Sequence, residues 1–240
     1  STPYSVIDGV LFKDNKELIL YPRAKDTERY KVPDGIESIA SFAISYNNNI
    51  EDIELNQVTN LEKSSLYALP YLSSITLTKK IKKYDESTQK GLTEGCFGAC
   101  SNVKKFIVPT ENTDFMAEDG VMFSKDKKEL YFYPPAKEGI TYEIPSTVTT
   151  LRRVAFQGAN KLTSMNIPVN VENISDEVFN GMKNLETVVF AEPSKIKTVG
   201  DFIFNNCIKL KEVTLPSSLT SISSAFLNCT ALETINVPDG

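Results

Sequence analysis

The sequence predicts an α/β solenoid, a right-handed superhelix of stacked coils with short strands, short helical turns and inserted β-hairpins. The first indication is the stretch IFNNCIKLKEVTLPSSL at 203–219. Ile203, Cys207 and Leu210 follow helical spacing, whereas Val213 and Leu215 alternate with polar residues as in a half-buried strand. So short a helix and strand cannot bury their apolar sides alone, so other parts of the chain must pack against them.

The same pattern recurs along the chain, and this recurrence is the second indication. The shared template is small-Phe-x-x-small-x-x-Leu-x-x-Ile-x-Leu-Pro, and it recurs at 96–109, 155–168, 178–190 and 225–238. Every entry in its four main columns is apolar, although only 41% of the chain is hydrophobic. The aromatic column holds Ile44, Leu66, Phe97, Phe156, Phe179, Phe204 and Phe226, and the Leu column holds Ile50, Leu72, Val103, Leu162, Leu185, Leu210 and Leu232. The strand columns hold Ile53, Ile75, Phe106, Met165, Val188, Val213 and Ile235, then Leu55, Leu77, Val108, Ile167, Phe190, Leu215 and Val237.

A duplicated hairpin motif is the third indication. DGVLFKDNKELILYP at 8–22 returns as DGVMFSKDKKELYFYP at 119–134, and each alternates around a polar turn as a β-hairpin does. Strand-like pieces follow at 30–33 (YKVP) and 142–145 (YEIP). We therefore expect one solenoid domain over 1–240, internally duplicated as 1–112 with three repeats and 113–240 with four.

Composition excludes several classes of function. The net charge is -5 and Lys and Arg are scattered, which argues against nucleic-acid binding, because that function requires a basic stripe. No apolar run is long enough for a membrane span. The chain has no His, which excludes Ser-His and Cys-His nucleophile systems and His-containing metal sites. We expect no cofactor, no metal and no enzymatic activity; catalysis by a pair of carboxylates is the remaining, less favoured alternative.

The cysteines allow two interpretations. Cys100, Cys207 and Cys229 occupy one template column, and stacked coils lie about 5 Å apart. One interpretation is a column of small buried residues with free thiols. The other is a disulfide between Cys207 and Cys229.

The repeat and hairpin motifs together resemble one known family. The run I-x-x-x-AF-x-x-C-x-x-L-x-x-I-x-L-P, with DGV(L/M)F hairpins ending in Tyr-Pro, is similar to the BspA-like leucine-rich-repeat proteins. The resemblance covers essentially the whole chain. It implies a bacterial protein that is secreted or displayed on the cell surface, and a non-enzymatic module for adhesion or protein binding. The implied partner is an extracellular protein, either host matrix or another cell surface.

The first candidate binding surface is the strand face, because solenoids commonly bind partners on this extended, concave surface. Its outward residues alternate with the buried strand columns and are mostly small and polar. Those singled out are Asp52, Glu54, Thr76, Lys105, Asn166, Thr187, Glu212, Thr214, Thr234 and Asn236.

The second candidate surface is formed by the hairpin tyrosines Tyr131 and Tyr133. Exposed rings there would stack on sugars, which makes carbohydrate binding the alternative function. Otherwise these tyrosines cover the edge of the solenoid where the hairpin interrupts it.

Overall fold

A computed structural model describes residues 2–239 of the chain. The chain divides into two compact units, Ser1–Lys125 and Asp126–Gly240, called here the N-terminal and C-terminal units.

The N-terminal unit begins with a three-stranded antiparallel ribbon. β1 pairs with β2, and β2 pairs with β3 around the predicted KDNK turn. The hairpin of 8–22 is thus confirmed, and β1 is an additional strand that the alternation did not predict. The strands of this unit are β1 (Tyr4–Ile7), β2 (Val10–Lys13), β3 (Glu17–Leu20), β4 (Arg29–Lys31), β5 (Ser38–Ile39), β6 (Ile44–Ser45), β7 (Asp52–Glu54), β8 (Asn60–Leu61), β9 (Leu66–Tyr67), β10 (Ser74–Thr76), β11 (Lys105–Ile107), β12 (Phe115–Glu118) and β13 (Val121–Ser124).

Parallel ladders link the coils of the N-terminal unit on three sides. One runs β3-β5-β8, a second runs β4-β7-β10-β11, and β6 pairs with β9. Tyr30, Ile53, Ile75 and Phe106 are in register along the second ladder. The strands of each coil therefore form their backbone hydrogen bonds with strands of the neighbouring coils, as expected of a solenoid.

The C-terminal unit repeats this arrangement. One parallel ladder runs β14-β15-β17 and another runs β16-β18-β19-β20. Met165, Val188, Val213 and Ile235 are in register along the second ladder. The strands are β14 (Glu129–Phe132), β15 (Thr150–Leu151), β16 (Ser164–Ile167), β17 (Asn173–Ile174), β18 (Thr187–Phe190), β19 (Glu212–Thr214) and β20 (Thr234–Asn236).

The template columns form the cores of the two units. In every coil before the last, the Leu column and the first strand column are buried. The last coil differs: Ile235 is 48% exposed and Val237 is 62% exposed, because no further coil among the described residues packs on them. The predicted repeat register is therefore confirmed.

The predicted helical turns are wrong. Among residues 2–239 the structure contains no helix, so the α/β class is not supported and the coils consist of strands and turns. In each coil, two residues have a left-handed backbone: one lies two positions before the aromatic position and the other two positions after it. Around Phe204 these are Phe202 (φ 57°) and Asn206 (φ 61°). A right-handed helix cannot pass through such residues, so only three residues lie between the two breaks.

Backbone hydrogen bonding gives the same explanation for the absent helix. The N–H of Phe156 donates to the carbonyl of Val178, that of Phe179 to Ile203, and that of Phe204 to Ala225, at 2.8–2.9 Å. Donors that would bond to residue i−4 in a helix instead bond to the following coil. The helical spacing of apolar residues therefore arises from a turn that points the same side chains inward.

Two smaller expectations are resolved by the structure. The strand-like piece predicted at 30–33 overlaps β4 at residues 30–31, whereas 142–145 is not a strand. Just before this segment, the carbonyl of Ile140 accepts a hydrogen bond from the N–H of Thr163 in the next coil. Residues 142–145 do not extend this contact into a strand ladder.

No helix among the described residues is long and apolar enough to cross a membrane.

Candidate functional site

The predicted strand-face residues form two ordered surfaces, one in each unit. We call the outward side chains of β4, β7, β10 and β11 the N-terminal strand face, and those of β16, β18, β19 and β20 the C-terminal strand face. The alternation that places Ile53 and Val188 in the core places Asp52, Glu54 and Thr187 on the opposite side of their strands.

On the N-terminal strand face, side chains form two rows across the ladder. One row is Arg29, Asp52, Ser74 and Lys105, and the other is Lys31, Glu54, Thr76 and Ile107. Neighbouring side chains in a row belong to strands spaced about 4.8 Å apart, so each can contact the next.

Opposite charges occupy neighbouring positions in these rows. Lys31 Nζ lies 3.0 Å from Glu54 Oε1, and Arg29 Nε lies 3.6 Å from Asp52 Oδ2. The Ser74 hydroxyl donates to Asp52 Oδ1. The hydrogen bond to Glu54 raises the pKa of Lys31, which therefore stays charged. These pairs are solvent-exposed and add little stability, but they orient charged groups towards solvent.

Sequence reasoning missed Arg29 and Lys31. They begin the two rows, and each is paired with a carboxylate that was predicted as a site residue. The signal was present in the alternation of Arg29-Tyr30-Lys31-Val32, in which Tyr30 and Val32 are buried. A strand was expected here, but its coil lacks the aromatic template, so its outward residues were not assigned to the strand face.

The C-terminal strand face carries mostly hydroxyls and amides, together with Glu212 and Val189. One row is Ser164, Thr187, Glu212 and Thr234, and the other is Asn166, Val189, Thr214 and Asn236. Glu212 Oε1 accepts a hydrogen bond from Asn236 Nδ2 at 2.8 Å. Thus the structure brings Asn166, Thr187, Glu212, Thr214, Thr234 and Asn236 onto one face, and Asp52, Glu54, Thr76 and Lys105 onto another.

The hairpin tyrosines are not on an exposed surface. Tyr131 is 3% exposed and Tyr133 is 2% exposed. The Tyr131 hydroxyl donates to Glu129 at 3.2 Å, and its ring lies under the Arg152 guanidinium. Tyr133 stacks on Phe156 with centroids 5.1 Å apart. Of the two interpretations of these rings, the exposed sugar-binding platform is wrong, because packing against the first coil covers both side chains.

The cysteines are free thiols that occupy buried or half-buried positions. The thiol of Cys207 donates to the carbonyl of Phe179 at 3.1 Å, and that of Cys229 donates to Phe204 at 3.0 Å. Each sulfur is thus directed at the preceding coil. Of the two interpretations, the structure has the column of free thiols and not the Cys207–Cys229 disulfide.

The described residues offer no arrangement for metal chemistry. Within 2–239, no group of three or more Cys, Asp or Glu side chains is placed to hold a metal ion. The strand faces present donors, acceptors and paired charges over several coils. Such a surface is suited to contact with a macromolecule.

Comparison with solved structures shows similar folds in bacterial proteins. A leucine-rich cell surface protein from Faecalibacterium prausnitzii matches with a TM-score of 0.61 and 22% identity, over 89% of this chain and 60% of that chain. The pneumococcal vaccine antigen PcpA matches with a TM-score of 0.62 and 22% identity, over 88% and 56%. A leucine-rich repeat protein from Eubacterium ventriosum matches with a TM-score of 0.54 and 19% identity, over 88% and 73%.

The chain therefore spans little more than half of PcpA and of the Faecalibacterium protein. Among curated proteins, none matches this chain significantly. The family model described as "BspA type Leucine rich repeat region" matches residues 23–119 and 131–240, with six copies. Together with the stacked coils, this match shows that the chain belongs to the BspA-type leucine-rich repeat family.

Proposed function

We propose that this chain is a non-enzymatic binding module of a bacterial cell-surface or secreted protein, and that its strand faces hold an extracellular protein. The observation that carries the proposal is the register of the strand-face rows. Thr187, Glu212 and Thr234 follow one another on adjacent parallel strands, as do Arg29, Asp52 and Ser74. A partner laid across the coils meets a polar group at every strand.

The chemistry of the rows favours a protein partner. Paired charges on the N-terminal strand face and hydroxyls and amides on the C-terminal one match the mixed charges and amides of a polypeptide. The rows contain no Trp, and Arg29 is their only Arg, so affinity would come from contact area rather than from a few anchor residues.

The comparisons support the location and the class of function. Two similar structures come from a cell surface protein and a vaccine antigen, and the family consists of repeat proteins. Host matrix or another cell surface is the proposed source of the partner.

Binding to a panel of immobilised extracellular-matrix proteins tests the proposal. Thr76→Arg and Thr214→Arg each place a long cation in a strand-face row, where both threonines are half-buried. Each variant should weaken binding about tenfold or more, because the side chain crowds the contact surface. Gln157→Arg is the matched control, since it adds the same charge on an aromatic-side turn away from β16–β20.

Unaltered denaturant midpoints would show that the variants remain folded. Binding that persists in both threonine variants, or that is lost equally in Gln157→Arg, would place the partner elsewhere and contradict the proposal. Turnover of any substrate that one Asp or Glu substitution abolishes would contradict the non-enzymatic assignment.

A further inference from the structure

Exposed aromatic rings cluster on the turns of the N-terminal unit. We call Phe42, Tyr46 and Tyr67 the aromatic surface. Tyr67 receives Phe42 and Tyr46 edge-to-face, with ring centroids 5.2 Å and 5.6 Å away. Phe42 is 52% exposed and Tyr46 is 48% exposed, so about half of each side chain contacts solvent.

The repeat itself does not require these rings. Tyr46 lies two residues after the aromatic position, where the other coils have Ala68, Ala99, Gly158, Gly181, Asn206 and Asn228. All seven residues have a positive φ, which is 55° at Tyr46. Tyr46 has the largest side chain of the seven. A tyrosine is strained in this conformation by about 1 kcal/mol relative to glycine.

The C-terminal unit shows that amides suffice at these turns. There Asn206 donates to Asn180 at 3.3 Å and Asn228 donates to Asn206 at 2.9 Å, so an amide ladder joins the coils. Tyr67 also needs room: a Cβ on Gly98 would lie 2.8 Å from its ring. Glycine at position 98 of the next coil therefore leaves space for the Tyr67 ring, although the repeat does not require an aromatic residue at position 67.

The residues that follow these two turns in the sequence line a cleft. Asn48 and Asn49 come directly after the turn of Tyr46, and Tyr71 follows that of Tyr67. They line an open cleft of about 440 Å³ together with Asp26, Glu28 and Glu51. Tyr71 is 57% exposed. None of the three carboxylates forms an ion pair with another of the described residues.

A buried amide holds this region rigid. Asn47 is fully buried, and its Nδ2 donates to the carbonyls of Pro22, Arg23 and Lys25 at 2.9–3.3 Å. Its Oδ1 accepts from the N–H groups of Asn49 and Ile50, both at 2.9 Å. The wall carrying Asp26 and the turn carrying Asn48 are thus fixed before any ligand arrives, which lowers the entropic cost of binding.

We propose that the aromatic surface and the adjoining cleft bind a neutral oligosaccharide. The Arg23 guanidinium lies over one face of the Tyr46 ring, 4.8 Å from its centroid. The remaining exposed ring faces are offered to the C–H side of a sugar ring, while amide and carboxylate oxygens accept from its hydroxyls. The cleft volume lies within the range of small-ligand sites. The unpaired carboxylates repel sialylated and sulfated sugars.

The same carboxylates would also attract a basic peptide, but the surroundings favour the sugar. Asp26, Glu28 and Glu51 are all exposed, and solvent-exposed ion pairs contribute only about 0–1 kcal/mol. Besides the carboxylates, the contact area consists of the amides of Asn48 and Asn49 and the rings of Phe42, Tyr46 and Tyr71. A flat, uncharged ligand covers these groups without ordering long side chains.

A glycan array containing neutral, sialylated and sulfated oligosaccharides tests the proposal, with the strongest neutral hit then titrated calorimetrically. We expect binding confined to neutral glycans and little changed between low and high salt. Tyr46→Asn and Tyr71→Ala should each weaken it about tenfold or more. Asn is compatible with the backbone at 46, since Asn206 and Asn228 adopt it in their own coils.

Phe202→Ser is the matched control. Phe202 is a 40% exposed ring with φ 57° in the C-terminal unit, and Ser224 occupies the equivalent place in the next coil. This variant should leave glycan binding unchanged. Absence of any glycan hit, binding only to anionic glycans, salt-sensitive binding to oligolysine alone, or full binding by Tyr46→Asn would each overturn the proposal. The strand-face variants test the matrix-protein proposal separately, because they lie outside this surface.

Discussion

The rings of Phe179 and Phe204 stack almost parallel, with centroids 5.3 Å apart and an angle of 10° between their planes. Phe204 continues to Phe226 at 5.4 Å and 11°, and Phe156 precedes Phe179 at 5.7 Å. Phe156, Phe179 and Phe204 are completely buried. Each coil therefore covers the ring of its neighbour, and the stability of one coil depends on the next.

Removing one ring from this stack should be costly. Phe204→Ala should lower the free energy of unfolding by about 3–5 kcal/mol, because it opens a cavity between two coils. Urea unfolding followed by circular dichroism measures this. Phe202→Ala removes a neighbouring exposed ring and should change stability by no more than about 1 kcal/mol. Similar losses in both variants would contradict the role of the stack.

The sequence predicted the strands and the core well, and the turns poorly. The alternation of apolar and polar residues around Val213 depends only on the local sequence. It was therefore sufficient to predict a strand with the Val213 side chain buried. The turn of Ile203, Cys207 and Leu210 has helical spacing because all three side chains are buried. Nothing in the residue type of Phe202 indicates its left-handed backbone, which accompanies a turn whose N–H groups at Phe204 and Asn206 donate to the next coil.

The candidate sites were predictable to different degrees for a similar reason. Outward positions such as Thr187 follow directly from the strand pattern. Tyr131 and Tyr133 also alternate, but alternation does not say which side of a strand is covered, and here both sides are buried. The cluster of Phe42, Tyr46 and Tyr67 joins residues of two different coils, so only the stacking register brings their rings together.

The thiols should differ in reactivity according to burial. Burial raises the pKa of Cys96 well above its usual range, that of Cys100 to about 11 and that of Cys207 to about 12. Cys229 is half-buried, and burial raises its pKa as well. Iodoacetamide at pH 8 should therefore modify Cys229 first and the other three only on unfolding, as read by peptide mass spectrometry. A peptide linked through Cys207 and Cys229 in an unreduced digest would contradict the free-thiol column.

Stability should fall at alkaline pH for the same reason. A thiol with an ordinary pKa of 9.0 ionises in the unfolded chain, while Cys207 stays neutral in the fold up to about pH 12. Its stabilising effect is therefore complete below pH 9 and is lost between about pH 9 and 12, by about 1 kcal/mol at pH 10. Urea midpoints at pH 8 and 10 measure the decline, which should be smaller in Cys207→Ala. An equal decline in that variant would assign the effect to other groups.

Asn47 should be essential to the fold of the N-terminal unit. Asn47→Ala removes hydrogen bonds to three carbonyls and two N–H groups in a buried site. We expect the free energy of unfolding to drop by about 2–3 kcal/mol, measured by urea unfolding. Its exposed neighbour gives the comparison, because Asn48→Ala should be nearly neutral. A small effect at Asn47 would show that water replaces the amide.

Exchanging glycine and alanine at these turns should change the free energy of unfolding in the direction opposite to that expected in a helix. Gly181 has φ 72°, and a Cβ there would meet nothing closer than 4.0 Å, so the cost of Gly181→Ala is the backbone strain alone. It should destabilise the protein by about 1–2 kcal/mol. The reverse change, Ala99→Gly at φ 55°, should stabilise it or leave it unchanged, because relief of strain opposes the greater freedom of the unfolded chain. In a helix both signs would be reversed, since alanine is favoured there by about 1 kcal/mol. Urea unfolding of the two variants therefore decides whether the left-handed turns exist in solution: a stabilising Gly181→Ala with a destabilising Ala99→Gly would restore the helical turns that the spacing of apolar residues first indicated.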